Sequence, residues 1–182
     1  INFKMKTYIA LLKGINVGGH KKVPMAELRG LLTNAGFQKV QTYIQSGNVI
    51  FQASEKAKEL ETKIQNLISI QFGFEVSVII KSNKELQSIF DASPFSKEKK
   101  EKSYFIMLNR IPESNLVEEV DQLQYENEEI VIKKDGLYFY CSTGFGKTKF
   151  NMNTYERKLK VTGTARNYNT MLKLLSLSAE LN

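Results

Sequence analysis

What most constrains this chain is the order in which strand-like and helix-like stretches alternate along it. "KTYIALLK" (Lys6–Lys13) is a continuous apolar run, the pattern of a strand buried on both faces. "VPMAELRGLLTNAG" starts a helix at Pro24, sets Met25, Leu28, Leu31, Leu32 and Ala35 on one face, and closes with Gly36 as a C-cap. "KVQTYIQSGNVIFQ" reads as two strands around a tight turn at Ser46-Gly47, where glycine supplies a positive φ. "SEKAKELETKIQNLISIQFGF" places Leu60, Ile64, Leu67 and Ile68 at helical spacing behind Ser54 as N-cap, and "EVSVIIK" follows as a strand. The order β-α-β-β-α-β is the split βαβ pattern of ferredoxin-like units.

A short helix ("KSNKELQSIFDAS") and a charged stretch ("SKEKKEK", Ser96–Lys102) come next, and the order then partly recurs. "SYFIMLN" is a strand, "PESNLVEEVDQL" a helix, "EEIVIKKDGLYFYC" a hairpin turning at Asp135-Gly136, and "TKFNMNTYERKLK" a helix. The chain ends on "NYNTMLKLLSLSAEL", a helix in place of a fourth strand. The expected fold class is therefore α+β, with two similar ferredoxin-like halves of mainly antiparallel sheet plus a C-terminal helix. The first half spans 5–92, a linker 93–102, and a β-α-β-β-α-α half 103–182. Met171, Leu172, Leu174, Leu175 and Leu177 cover a wide arc of the last helix, which calls for burial between the halves or a dimer contact, so both monomer and homodimer stand.

The 182 residues suffice for such a core without disulfides, and the single cysteine, Cys141, fits a reducing cytoplasm. No apolar run approaches the roughly 18 to 20 residues of a membrane helix, so no membrane role is expected. Ile1–Lys4 precede Met5 and read as an addition ahead of a natural start. A net charge of +7 favours anionic partners, small anions or nucleic acid, although the lysines are scattered and nucleic acid is weakly supported.

Several chemistries are excluded. With His20 as the only histidine, two-histidine mechanisms and histidine-rich metal sites are out, and no metal site is expected. An open RNA-reading sheet face is not expected either, because the first and third strands are apolar in unbroken sequence. "CSTGFGKT" (Cys141–Thr148) imitates a phosphate-binding P-loop, but Cys141 stands where that motif needs glycine. The residues name no reaction and no cofactor.

The remaining candidate is the glycine-rich, basic loop "LKGINVGGHKK" (Leu12–Lys22). In a β-α-β-β-α-β unit the first strand lies antiparallel beside the third, so this loop should meet the Gln45–Asn48 turn. That brings the stretch from Gly14 to Lys22, with Asn16, Gly18, Gly19, His20, Lys21 and Lys22, to one edge with Gln45, Ser46 and Asn48. Glycines before a helix can cradle an anion with backbone N–H groups, or can simply make a tight turn. Both readings stand, since G-x-x-x-G-G matches neither standard phosphate fingerprint and Pro24 removes a helix-start donor. Lys147 sits in the second basic loop, Arg166 offers a forked donor, and Asn167 suits a helix N-cap.

"ALLKGINVGGHKKVPMAELRGLLTNAGF", "VQTYIQSGNVIF" and "GKTKFNMNTYERKLKVTGTARNYNTMLKL", in that order, resemble the bacterial DUF1697 family, a domain of unknown function. Gly146 before Lys147 and Tyr168 in "RNYNT" depart from the commoner Ser-Lys and Trp of that family. The resemblance implies a duplicated ferredoxin-like α+β arrangement and no established activity. Its signature stretches fall on Gly14, Asn16, Val17, Gly18, Gly19 and Lys22, and on Gln45, Ser46, Gly47 and Asn48. Farther on they fall on Lys147, Thr164, Arg166, Asn167 and Thr170. The resulting expectation is a polar cleft for a small anionic, nucleotide- or phosphate-like ligand. Its rival is a non-catalytic protein that binds nucleic acid or itself.

Overall fold

A computed structural model describes residues 4–182; of the leading segment Ile1–Lys4, the first three residues lie outside the described part. Among the described residues, eight strands form two four-stranded antiparallel sheets. The first contains β1 (Lys6–Leu12), β2 (Gln38–Tyr43), β3 (Asn48–Ala53) and β4 (Val78–Ser82), in the order β2-β3-β1-β4. The second contains β5 (Tyr104–Leu108), β6 (Glu128–Lys133), β7 (Gly136–Cys141) and β8 (Gly163–Asn167), in the order β6-β7-β5-β8. The compact units are the chain up to Gln87 with Lys173–Asn182, and Ser88–Leu172. No helix among the described residues is long and apolar enough to cross a membrane.

In the first unit, α1 (Met25–Asn34) and α2 (Ala57–Phe72) bury Leu28, Leu32, Leu60 and Ile64 against Leu12, Val49 and Phe51 of the sheet. Gly36, at φ +96, ends α1 as the spacing predicts, and Phe37 N reaches back to Leu32 O. The start of α2 differs from expectation. Its cap is Lys56, whose N–H donates to the Glu59 carboxylate, and Ser54 lies ahead of it. Buried Glu61 accepts from Ile80 N at 3.1 Å and so fixes α2 along β4. On the opposite sheet face Ile9, Leu11, Ile50 and Ile79 are buried too, as the unbroken run of β1 requires.

In the second unit, α5 (Ser114–Val120) and α6 (Met152–Leu159) cover Ile106, Leu108, Leu137 and Phe139. Three local expectations are corrected. The stretch around Thr164, Arg166 and Asn167 is the strand β8, paired with β5, where a helix-to-helix joint was expected. A five-residue strand with polar alternation and a following helix gives too little period to reveal it. The charged linker holds a helix, α4 (Lys97–Glu101), capped by Ser96. The second hairpin turns at Lys134-Asp135, one residue early, because Lys133 pairs with Gly136. The helices α3 (Asn83–Asp91) and α7 (Tyr168–Glu180) complete the chain. The end of α7 returns to the first unit, where Asn83 Nδ2 donates to Leu175 O and Ser178 Oγ, and Gln52 Nε2 to Leu181 O.

Candidate functional site

Antiparallel pairing sets Leu11 opposite Asn48, so the chain leaving β1 runs past the loop that enters β3. Leu12 N donates to Gly47 O at 2.8 Å, and Asn16 Nδ2 donates to Gln45 O at 2.7 Å. Asn16 also closes its own loop, donating from Nδ2 to Val23 O (3.0 Å) and accepting from Val23 N at Oδ1 (2.8 Å). It does so at φ +55, a left-handed conformation that asparagine tolerates. The two polar bends named from sequence are therefore neighbours, joined by Asn16.

Inside that closed loop is a miniature hairpin. Asn16 N donates to Lys21 O and His20 N to Val17 O, while Gly18 and Gly19 adopt φ +56 and +78. Two successive positive φ values are what a two-residue type I′ turn demands, which accounts for the glycine pair. The turn tip is exposed, and α1 begins only at Met25 behind Pro24. On the other flank, Asn48 is buried, with Nδ2 donating to Tyr43 O and Ser46 Oγ at 3.0 Å each. Gln45 contributes its main-chain carbonyl, and Lys22 is exposed.

The loop has a second neighbour. Because β1 also pairs with β4, the α2–β4 connection lies beside it on the side away from the hairpin. Lys13 N donates to Ser77 O at 3.0 Å, and Lys21 Nζ to Glu75 O at 2.7 Å. Here lies a groove of about 610 Å³. Lys13, Gly14 and Lys21 line one wall, Gln65, Asn66 and Ser69 of α2 another, and Glu75–Ser77 the remainder. Two ammonium groups, two amides and two hydroxyls face one carboxylate, a donor-rich set suited to an anion. Of these residues the sequence points to Gly14 and Lys21. The signal for the others was present: the pairing logic that sets β1 against β3 also sets it against β4, and Gln65 and Ser69 share a helix face at i, i+4 spacing.

The three remaining candidates lie in the second unit. Lys147 is exposed in a single 3-10 turn, Phe145–Lys147. Just beyond it, Lys149 N and Phe150 N both donate to the Glu128 carboxylate, so an internal anion occupies the amides a phosphate would need. Arg166 is buried in β8, with Nη1 donating to Thr164 Oγ1 (2.9 Å) and Ala165 O (2.8 Å). Burial pulls its guanidinium down to about 10, which leaves it charged at neutral pH. Asn167 Oδ1 accepts from Thr170 N at 2.9 Å and caps α7, as its position ahead of that helix suggests.

A family model described as a protein of unknown function (DUF1697) matches residues 5–138. Among solved structures, a conserved bacterial protein from Streptococcus pneumoniae is similar at 25% identity, with a TM-score of 0.71 over 96% of this chain and 99% of that one. No curated protein matches the chain.

Proposed function

We infer, for a chain that belongs to the DUF1697 family, that the groove beside the β1–α1 loop binds a small anion of the phosphate or nucleotide type. The observation that carries this is the pairing of Lys13 and Lys21 with Gln65, Asn66 and Ser69 around one groove that holds a single acid, Glu75. Lys21 is positioned by its bond to Glu75 O, which uses one of the three donors of an ammonium. Asn16, Gln45 and Asn48 serve the site indirectly, by fixing the loop whose wall Gly14 and Lys21 form. The Gly18-Gly19 turn gives that wall its shape without touching the ligand.

Calorimetric titration of the protein with inorganic pyrophosphate at low salt tests this. Lys13→Ala and Lys21→Ala are each expected to weaken binding by about two- to fivefold, the range for an exposed ion contact. Replacing Gly18-Gly19 by Asn-Gly, which keeps a type I′ turn, should leave affinity unchanged. No pyrophosphate binding, or binding indifferent to both lysines, would sink the proposal. Tight, steeply salt-dependent binding of generic duplex DNA instead would assign the positive charge to nucleic acid.

A further inference from the structure

A second groove, of about 310 Å³, is built wholly from the second unit and has the opposite character. The α5–β6 connection, the edge strand β6 and α6 enclose it. Val120, Leu123, Ile130 and Val131 give it an apolar lining, and its volume is at the low end of the range of about 300 to 1,000 Å³ for small-molecule sites. Every charged lining residue is acidic: Asp121, Glu128 and Glu129. Glu129 is already matched, by Lys99 at 2.6 Å. The carboxylate of Glu128 is held in place by Lys149 N and Phe150 N, bonds that orient it without cancelling its charge.

The observation that turns this acidic patch into a site is Tyr155. The residue is only 1% exposed, its ring packs on Phe150 at 5.0 Å, and its Oη has no hydrogen-bond partner among the described residues. Buried hydroxyls without a partner are rare because the lost hydration is not recovered. Burial, and then the nearby groups Tyr125, Asp121 and Glu128, push this phenol up to about 12. Those three groups all line the groove, so the hydroxyl lies on its side and stays neutral at physiological pH.

We propose that this groove binds the ammonium of a small organic amine, with an ammonium N–H donating to Tyr155 Oη, Asp121 and Glu128 supplying the opposing charge, and the apolar body resting on Val120, Leu123 and Ile130. An anion would meet two uncompensated carboxylates. A bare metal ion is disfavoured because no group of three or more His, Cys, Asp or Glu among the described residues is arranged to hold one. An amine with an apolar body satisfies both the acids and the aliphatic lining.

The test is amide-resolved NMR titration of the full chain with 2-phenylethylammonium, and with 3-phenylpropionate as the anion of matched shape. The ammonium should bind saturably, shift amides from Val120 to Val131 and around Tyr155, and outbind the carboxylate by at least about tenfold. Tyr155→Phe removes the orphaned hydroxyl without removing the ring, so it should fold with an unchanged or raised Tm and bind the ammonium about tenfold more weakly. Asp121→Asn should weaken it severalfold. The proposal is overturned if the two ligands bind alike, if the shifts fall elsewhere, or if Tyr155→Phe binds as the parent does, which would leave the hydroxyl merely hydrated.

Discussion

The two halves leave their first strand in the same way and then part company. In the first, Leu12 N donates to Gly47 O and Lys13 N to Ser77 O; in the second, Leu108 N donates to Asp135 O and Asn109 N to Thr162 O. These are the same two main-chain bonds at the same point of the same strand order. Beyond that point the connections diverge. The first half carries residues 13–24 before its helix and a 16-residue α2, the second only residues 109–113 and an eight-residue α6. The pairing scheme decides which connections meet at the strand end, and connection length decides whether a wall stands there. The longer loop of the first half, folded on itself by Asn16, flanks a donor-rich groove.

The largest effect that could break this comparison is expected at Gly47, in the bend to which Leu12 is tied. It sits at φ +88, and an added Cβ would come within 2.7 Å of Leu12 Cβ. Strain and overlap together should make Gly47→Ala destabilising by about 3 kcal/mol in urea unfolding. Gly136, in the corresponding hairpin of the second half, has no positive φ, and the atom its Cβ would meet first is Tyr138 Oη at 2.9 Å. Gly136→Ala should cost less, about 1 to 2 kcal/mol. Equal costs would mean that the strand-end bends are held equally hard in both halves.

Next come the two asparagines after the strand ends. Asn16→Ala removes bonds to Val23 in both directions and the bond to Gln45, and leaves alanine at φ +55. A loss of about 2 kcal/mol is expected. Asn109 Oδ1 accepts from Thr162 N at an exposed site, so Asn109→Ala should cost under about 1 kcal/mol. The Asn16 variant should also lose pyrophosphate affinity, because the wall that carries Gly14 and Lys21 comes loose. If it unfolds no more easily than the Asn109 variant, the closed loop contributes nothing beyond its covalent chain.

These residues also mark how far the sequence could be read. Helix and strand order in the first half followed from periodicity, and the meeting of the Asn16 and Asn48 bends followed from topology. Two things did not. β8 is short and merges into α7 at Asn167-Tyr168, so neither a period of two nor a turn residue announced it. The groove residues Gln65, Asn66 and Ser69 carry no motif; they are brought beside Lys13 and Lys21 by α2 lying along β4, where Glu61 accepts from Ile80 N. The Gly18-Gly19 pair shows the converse, a loud sequence signal whose cause is turn geometry.

Within the second half, two tyrosines make a finer contrast. Both phenols are pushed up to about 12, chiefly by burial. Tyr138 Oη donates to Ile89 O at 2.6 Å, whereas Tyr155 Oη is orphaned. Tyr138→Phe strands a buried carbonyl and should cost about 1 to 2 kcal/mol, while Tyr155→Phe should cost nothing. A raised phenol pKa means the folded state holds its proton more tightly than the unfolded one. Stability from this source is complete below pH about 10 and is lost as pH climbs toward 12. Each Phe variant should blunt that alkaline loss, as read by urea midpoints at pH 9 and 11.

The smallest expected effect lies at the start of α2. Glu55 is held below its ordinary value first by the hydrogen bond from Lys63, at 3.0 Å, while burial works against it. A depressed carboxyl contributes stability above its unfolded pKa and loses it as pH falls through the folded value, so the effect belongs to the acid limb below about pH 4.5. Both side chains are 38% exposed, and solvent screening limits the contribution to a few tenths of a kcal/mol. At the start of α6 the corresponding contact is neutral, Thr154 N donating to Asn151 Oδ1. Acid should therefore lower amide protection at Lys58–Leu60 before it does so at Thr154–Glu156, and about 0.5 M salt should erase that lead, since an exposed pair is screened over about a Debye length. A lead that survives salt would show the Glu55–Lys63 pair to be more deeply shielded than its exposure indicates.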